Sequence, residues 1–180
     1  PYPDFVAMSE FTATQNTEND LSWRSYRAYY RTIKRATDVL TYVPEMQIDE
    51  SQKKRIMGEA NFLVAFSYFQ MAIRYGGMPI YDPDDLPSAL VRASEEDTWK
   101  VIESSLISAT DQLAWDHQEG RPGLGAAWGL LAKVYAYEAK WTDAKTAAEK
   151  VISSNKHILF TSYADLFTIE YENVSEILWG

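Results

Sequence analysis

An apolar run closed by two glycines and a proline, Gly58 to Ile80 (GEANFLVAFSYFQMAIRYGGMPI), constrains this chain more than any other feature. Phe62, Leu63, Val64, Ala65, Phe66, Tyr68, Phe69, Met71, Ala72 and Ile73 leave only Asn61, Ser67 and Gln70 as polar interruptions. A surface helix carries one apolar stripe, so a helix apolar on most faces must be covered on several sides. Gly76 and Gly77 predict a left-handed C-terminal cap, and Pro79 blocks continuation. The run is shorter and more interrupted than the ~20 apolar residues that span a bilayer. It predicts the central helix of a stacked helical protein.

The flanking sequence supplies partners for that helix. Trp23, Tyr26, Tyr30, Ile33, Ala36, Thr37 and Leu40 recur at three- and four-residue spacing, predicting an amphipathic helix from Leu21 to about Tyr42 that Pro44 stops. The central helix runs from about Glu50 to Tyr75. Residues 76–92, with three prolines and Asp82, Asp84 and Asp85, read as a long loop. Ser94 followed by Asp97 predicts a capping-box-like start for a helix carrying Trp99, Ile102, Leu106, Ala109 and Leu113. After the break at Gly120-Arg121-Pro122-Gly123, helices are predicted from about Leu124 to Ala139 and from Thr142 to Ser154. Residues 1–20 read as irregular, with a short helix near Phe5–Phe11. Ile158–Phe160 and Val174–Trp179 read as strand-like, around a helical piece at Tyr163–Phe167.

Composition narrows the function. A formal net charge of -9 argues against nucleic acid as a partner, because phosphate contacts need clustered cations. Arg31, Lys34 and Arg35, then Lys53, Lys54 and Arg55, read as solvated helix faces. The chain has no cysteine, which excludes disulfides, thiolate metal sites and cysteine nucleophiles. His117 and His157 have no metal-ligand spacing, and the glycines of Gly120–Gly125 lack the Lys-Ser/Thr of a phosphate loop. Carboxylate neighbours such as Glu95 and Glu96 arise readily among 26 acidic residues. No catalytic residue, metal or cofactor is predicted. Twelve tyrosines and six tryptophans either fill thick cores or line ligand surfaces.

The last two full helices carry a repeat signature. Leu131, Ala132, Tyr135, Trp141, Ala144, Ala148 and Val151 fall where a tetratricopeptide repeat places its packing residues. Ala132 and Ala144 are expected to let the helices approach, with Tyr135 and Trp141 filling the groove beside them. The fold class predicted is mainly α: stacked antiparallel helix pairs in a tetratricopeptide-like α/α superhelix, with an irregular N-terminal segment and a short strand-like C-terminal one.

In order, Trp-x-x-Tyr and Tyr-x-x-x-Ile within Trp23–Ile33, GEANFLVAFSYF, RYGGMPI, Arg92 before a helix, GRPGLGAAWGLLAKVYAYEAKW, VISSN, Tyr163 with DLF, and SEILW are found. This ordered set resembles the SusD/RagB family of outer-membrane nutrient-binding lipoproteins. Thr37, Val64 and Gly77 depart from the residues usual there, as does the IESSL segment. The resemblance implies one helical domain over residues 1–180, a portion of a fold that continues beyond SEILW. It further implies non-catalytic binding of oligosaccharide or polysaccharide at the cell surface and delivery to a SusC-like TonB-dependent transporter. Membrane association would come only through a lipid anchor, and signal and lipidated cysteine are absent from this chain. Pro1 in place of Met suggests a processed or trimmed chain.

Sugar binding needs flat aromatic faces edged by groups that hydrogen-bond hydroxyls. Tyr2, Asn16, Asn19, Asp20 and Trp23 are the first candidates, in or beside the irregular segment, and Tyr81 in the acidic loop is the second. The competing reading has Trp23 packing the first helix and the Tyr81 loop merely solvated. A different class of function, a tetratricopeptide scaffold gripping a protein or peptide, rests on the same helical repeats.

Overall fold

The computed structural model describes residues 20–85, 91–168 and 175–179. Their helices are α1 (Asp20–Tyr42), α2 (Glu50–Tyr75), α3 (Glu95–Gln112), α4 (Leu124–Tyr137) and α5 (Trp141–Ser154), with 3-10 turns at Val43–Glu45 and Asp165–Phe167. Each packs against the next in sequence, α1 on α2, α2 on α3, α3 on α4 and α4 on α5. Cross-links show adjacent helices running antiparallel. Tyr26 near the start of α1 meets Tyr75 at the end of α2, and Asn61 early in α2 donates to Gln112 at the end of α3.

α2 is apolar all round because it is covered on several sides. Ile33 and Ala36 of α1 and Trp99, Ile102, Leu106 and Ala109 of α3 join Phe62, Ala65, Tyr68, Phe69 and Met71 in one core. Trp179 comes back across α2 and meets Phe62 and Phe66 edge-on, with centroids 5.0 and 5.1 Å away. Gly58 allows α3 to end against α2, since a Cβ there would lie 2.9 Å from Leu113. The apolar run is short for a bilayer, yet the 26-residue helix carrying it is long and apolar enough to cross a membrane. Burial decides the matter: 61% of its most apolar window is enclosed by the protein, as in a core helix.

Local chemistry sets the ends. Asp49 caps α2 by accepting the N–H groups of Ser51 (3.0 Å) and Gln52 (3.2 Å). Ser94 caps α3 by accepting the Asp97 N–H at 3.0 Å, while its hydroxyl donates to the Asp97 carboxylate at 2.6 Å. Gly76 has φ 75° and ψ -138°, so the positive φ expected is present but the full left-handed cap is not. Asn155, with φ 52°, provides the left-handed cap of α5.

Two expectations are corrected. Trp141 does not fill a groove; it opens α5 and is 67% exposed. α4 and α5 pack against each other, with Ala132 and Ala144 half-buried and Ala147 buried. Ile158–Phe160 form no strand, and neither do 175–179; the only bridge among the described residues joins Pro79 to Arg92. The two segments do meet, His157 Nδ1 lying 3.0 Å from the Ser175 carbonyl and the Phe160 N–H donating to the Glu176 carboxylate at 2.6 Å, but side chains take the place of the backbone ladder a strand pair needs.

Candidate functional site

The aromatic residues that open α1 form a ladder leading to the end of α2. Trp23 stacks on Tyr26, centroids 6.4 Å apart and planes at 16°. Tyr26 then meets Tyr30 at 4.8 Å and the edge of Tyr75 at 6.2 Å, and Tyr30 meets Tyr68 edge-on at 6.3 Å. Three- and four-residue spacing puts Trp23, Tyr26 and Tyr30 on one side of α1. The ladder is graded, from a half-exposed Trp23 (52%) to a fully buried Tyr68.

At its buried end the ladder holds the loop that follows α2. Tyr30 Oη donates to the Pro79 carbonyl at 2.7 Å, and Tyr68 Oη accepts the Tyr81 N–H at 2.7 Å. Burial pushes the Tyr68 hydroxyl up to about 12 and raises that of Tyr30 as well, so both stay protonated donors. Arg92 Nε donates to the Gly77 carbonyl at 2.8 Å, and its guanidinium also reaches the Tyr75 carbonyl. Thr98, wholly buried, accepts the Met78 N–H at 2.9 Å and donates to the Ser94 carbonyl at 2.9 Å. Both ends of the loop are thereby fastened to the helices.

Two clefts flank the exposed end. One of about 420 Å³ is lined by Tyr26, Tyr75, Gly77, Met78, Pro79 and Arg92. The other, of about 450 Å³, is lined by Trp23, Arg24, Arg27, Ala28 and Arg31. The stacked pair therefore supplies one ring to each cleft. An aromatic face beside guanidinium donors and backbone carbonyls is chemically suited to a flat, hydroxyl-rich ligand.

The sequence candidates fare unequally. Trp23 is half-exposed at the clefts, so the reading that it merely packs the first helix covers only its contact with Tyr26. Asp20 begins α1. Tyr81 is partly buried against the core, and its backbone N–H is held by Tyr68. Tyr2, Asn16 and Asn19 lie outside the described residues, as does the short helix expected near Phe5–Phe11. Sequence reasoning missed Tyr26, Tyr75 and Arg92 as cleft-lining residues. It also missed Arg24 and Arg27, although their spacing to Arg31 was a readable signal.

A sequence profile of a SusD-like family, described as starch-binding and associating with the outer membrane, matches residues 3–136. A SusD-like protein of Bacteroides ovatus is 28% identical over 194 residues, covering 98% of this chain and 35% of its own. A solved laminarin-binding SusD-like protein superposes with a TM-score of 0.80 at 30% identity, over 87% of this chain and 37% of that one. A structure with a xylogluco-oligosaccharide superposes with a TM-score of 0.82 at 29% identity, over 99% of this chain and 38% of that one. The chain spans about a third of the length of the curated relatives it matches, between 31% and 35%. The superpositions confirm the stacked helical architecture, and the family's description is one of binding and not of catalysis. With the profile covering most of its length, the chain belongs to the SusD-like family of starch-binding, outer-membrane-associating proteins.

Proposed function

We propose that this chain is the helical portion of a non-catalytic glycan-binding protein. In this reading the protein takes up an oligosaccharide or polysaccharide at the outer-membrane surface, where a lipid anchor holds it. It then passes the glycan to a SusC-like TonB-dependent transporter. Residues 1–180 act as one helical domain, and the part of the relatives outside the match completes the ligand face. The observation that carries the reading is the half-exposed Trp23 ring, stacked on Tyr26 with one ring in each of two clefts. Asn16, Asn19, Asp20 and Tyr2 would add polar and aromatic edges to that platform. The laminarin-binding relative and the relative solved with a xylogluco-oligosaccharide support a saccharide ligand.

Isothermal titration of the full-length protein against an oligosaccharide panel tests this. Binding to at least one saccharide is expected, with Trp23→Ala weakening it by about tenfold, the loss of roughly 1.4 kcal/mol of stacking. Binding to no saccharide, with tight binding of a peptide, would sink it. A second reading, a tetratricopeptide scaffold for a peptide, draws on a groove of about 310 Å³ between α1 and α2. Val39, Ile56 and Leu63 line this groove together with Arg35 and Glu59. It predicts that peptide binding survives Trp23→Ala and is lost on Leu63→Asp.

A further inference from the structure

The cleft beside Trp23 has an electrostatic character at odds with the rest of the molecule. The chain carries 26 acidic against 17 basic residues, yet α1 sets Arg24, Arg27, Arg31, Lys34 and Arg35 against Asp20 and Asp38. Several other cations sit beside carboxylates. Lys34 lies 2.7 Å from Asp38, Arg55 and Arg121 both bind Glu59 at 2.7 and 2.6 Å, and Lys156 lies 2.9 Å from Asp116. Arg27 and Arg31 are exposed and have no carboxylate partner among the described residues. They are one helical turn apart, and like charges at that spacing oppose helix formation. A stripe meant only for solubility in an acidic chain would more simply be acidic. Here two arginines one turn apart line the wall of a cleft that also presents an indole.

Guanidinium is a planar fork of donors that matches the two oxygens of a carboxylate or a sulfate. An indole face suits the C–H face of a sugar ring. We propose that this cleft takes an anionic saccharide, its carboxylate or sulfate ester against Arg27 and Arg31 and a sugar ring on Trp23. The inference rests on the glycan-binding reading and names the class of glycan. A nucleic acid, equally anionic, extends well beyond such a cleft and would meet the acidic remainder of the surface.

The test is isothermal titration of the full-length protein at low and high salt with two matched pairs of saccharide probes and a single-stranded oligonucleotide. The first pair is a short oligogalacturonate and its methyl ester, which share a backbone and differ in charge. The second is a sulfated galactan oligosaccharide and its desulfated counterpart. The expected result is that one charged probe binds about tenfold tighter than its neutral partner at low salt. The preference should shrink as salt rises, and vanish in the Arg27→Gln, Arg31→Gln double variant. The charged probe that shows it identifies carboxylate or sulfate as the group recognised. Gln keeps a good helix propensity at these exposed positions, and an unchanged thermal melt confirms that the variant folds. Equal binding of charged and neutral probes overturns the inference and leaves the glycan reading standing. A charge preference that persists in the double variant also overturns it, since the anion would then sit elsewhere. No binding of any saccharide overturns both, as does tighter binding of a single-stranded oligonucleotide than of every saccharide.

Discussion

A Cβ on Gly77 would lie 2.3 Å from the carbonyl oxygen of Ala93 and 2.8 Å from the carbonyl carbon of Ser94. Both are backbone atoms at the start of α3 and cannot swing aside as a side chain does. Gly77→Ala is therefore expected to cost roughly 3 kcal/mol, the upper end of the overpacking range, by forcing the loop and α3 apart. Gly120 is the control: its φ is +75° and nothing lies within 4 Å of its would-be Cβ, so Ala there costs only the ~1–2 kcal/mol of left-handed backbone. Denaturant midpoints of the two variants check this, and a Gly77→Ala loss no larger than that of Gly120→Ala would refute the close-approach role. The contrast shows where residue-scale reading stops. The pair Gly76-Gly77 announced a break in the chain, and Gly76 supplies it with φ 75°. That Gly77 serves a contact with α3 depends on where residues 93 and 94 return, which no local rule states. The candidate site divides the same way. Trp23 was legible as an aromatic beside an irregular segment, whereas Tyr75 and Arg92 become its neighbours only when α2 returns antiparallel to α1.

Between elements, the seam of α3 and α4 carries an unusual charge arrangement. Lys140 lies 3.1 Å from Glu138 Oε1 and also bonds Glu103, so one ammonium serves two carboxylates. Burial, reinforced by the neighbouring Glu103, pushes Glu138 up to about 7, and its Oε2 is buried without a hydrogen-bond partner. Burial acts upward on Glu103 too, but hydrogen bonds with Glu138 and Lys140 outweigh it and hold that carboxyl below its usual range. The sign follows from linkage. A carboxyl whose folded value lies above its unfolded value of 4.5 favours the fold while protonated, so its contribution is lost as pH rises from there to about 7. Glu103, lowered, contributes stability above its unfolded value and loses it as pH falls through its folded one. Tyr135 beside the cluster is raised by burial and by the Glu103 and Asp143 carboxylates. Thermal melts are expected to show stability declining between about pH 5 and pH 7. Glu138→Gln should flatten that decline and raise the melting temperature at alkaline pH; an unchanged profile in the variant would locate the dependence elsewhere. At this scale the helix boundaries were legible almost to the residue, because caps and prolines act locally. The three-residue α4–α5 turn that presents Glu138 and Lys140 to Glu103 was not, since no periodicity announces a shared counter-ion.

At the scale of the whole molecule, the stretch that follows α5 is apolar and exposed among the described residues. Leu159 (84% exposed), Tyr163 (77%) and Phe167 (74%) follow α5 with Ile158, and Ile152 faces out from α5 itself. Large apolar side chains gathered in one stretch mark a contact surface. Expressed as its 180 residues, the chain is expected to self-associate reversibly through this surface in sedimentation velocity. The Leu159→Glu, Phe167→Glu double variant is expected to stay monomeric. A chain that sediments as a monomer at every accessible concentration would show the surface to be inert. The sequence determined by itself that this is a stack of helices around Gly58–Ile80, because periodicity, caps and breakers are local physics and survive without knowledge of the fold. It carried the family's GEANFLVAFSYF motif for the same reason: its apolar residues are packing residues of that scaffold. Only the tertiary structure decided which aromatics became core and which stayed at the surface. Trp23 and Trp141 ended exposed and Tyr68 buried because burial depends on which neighbour arrives, and neighbours are set by how the helices return upon one another. The arginine stripe shows both halves of the lesson. Its spacing was written in α1, but that Arg27 and Arg31 line a cleft with Trp23, with no carboxylate partner among the described residues, is a property of the folded chain alone.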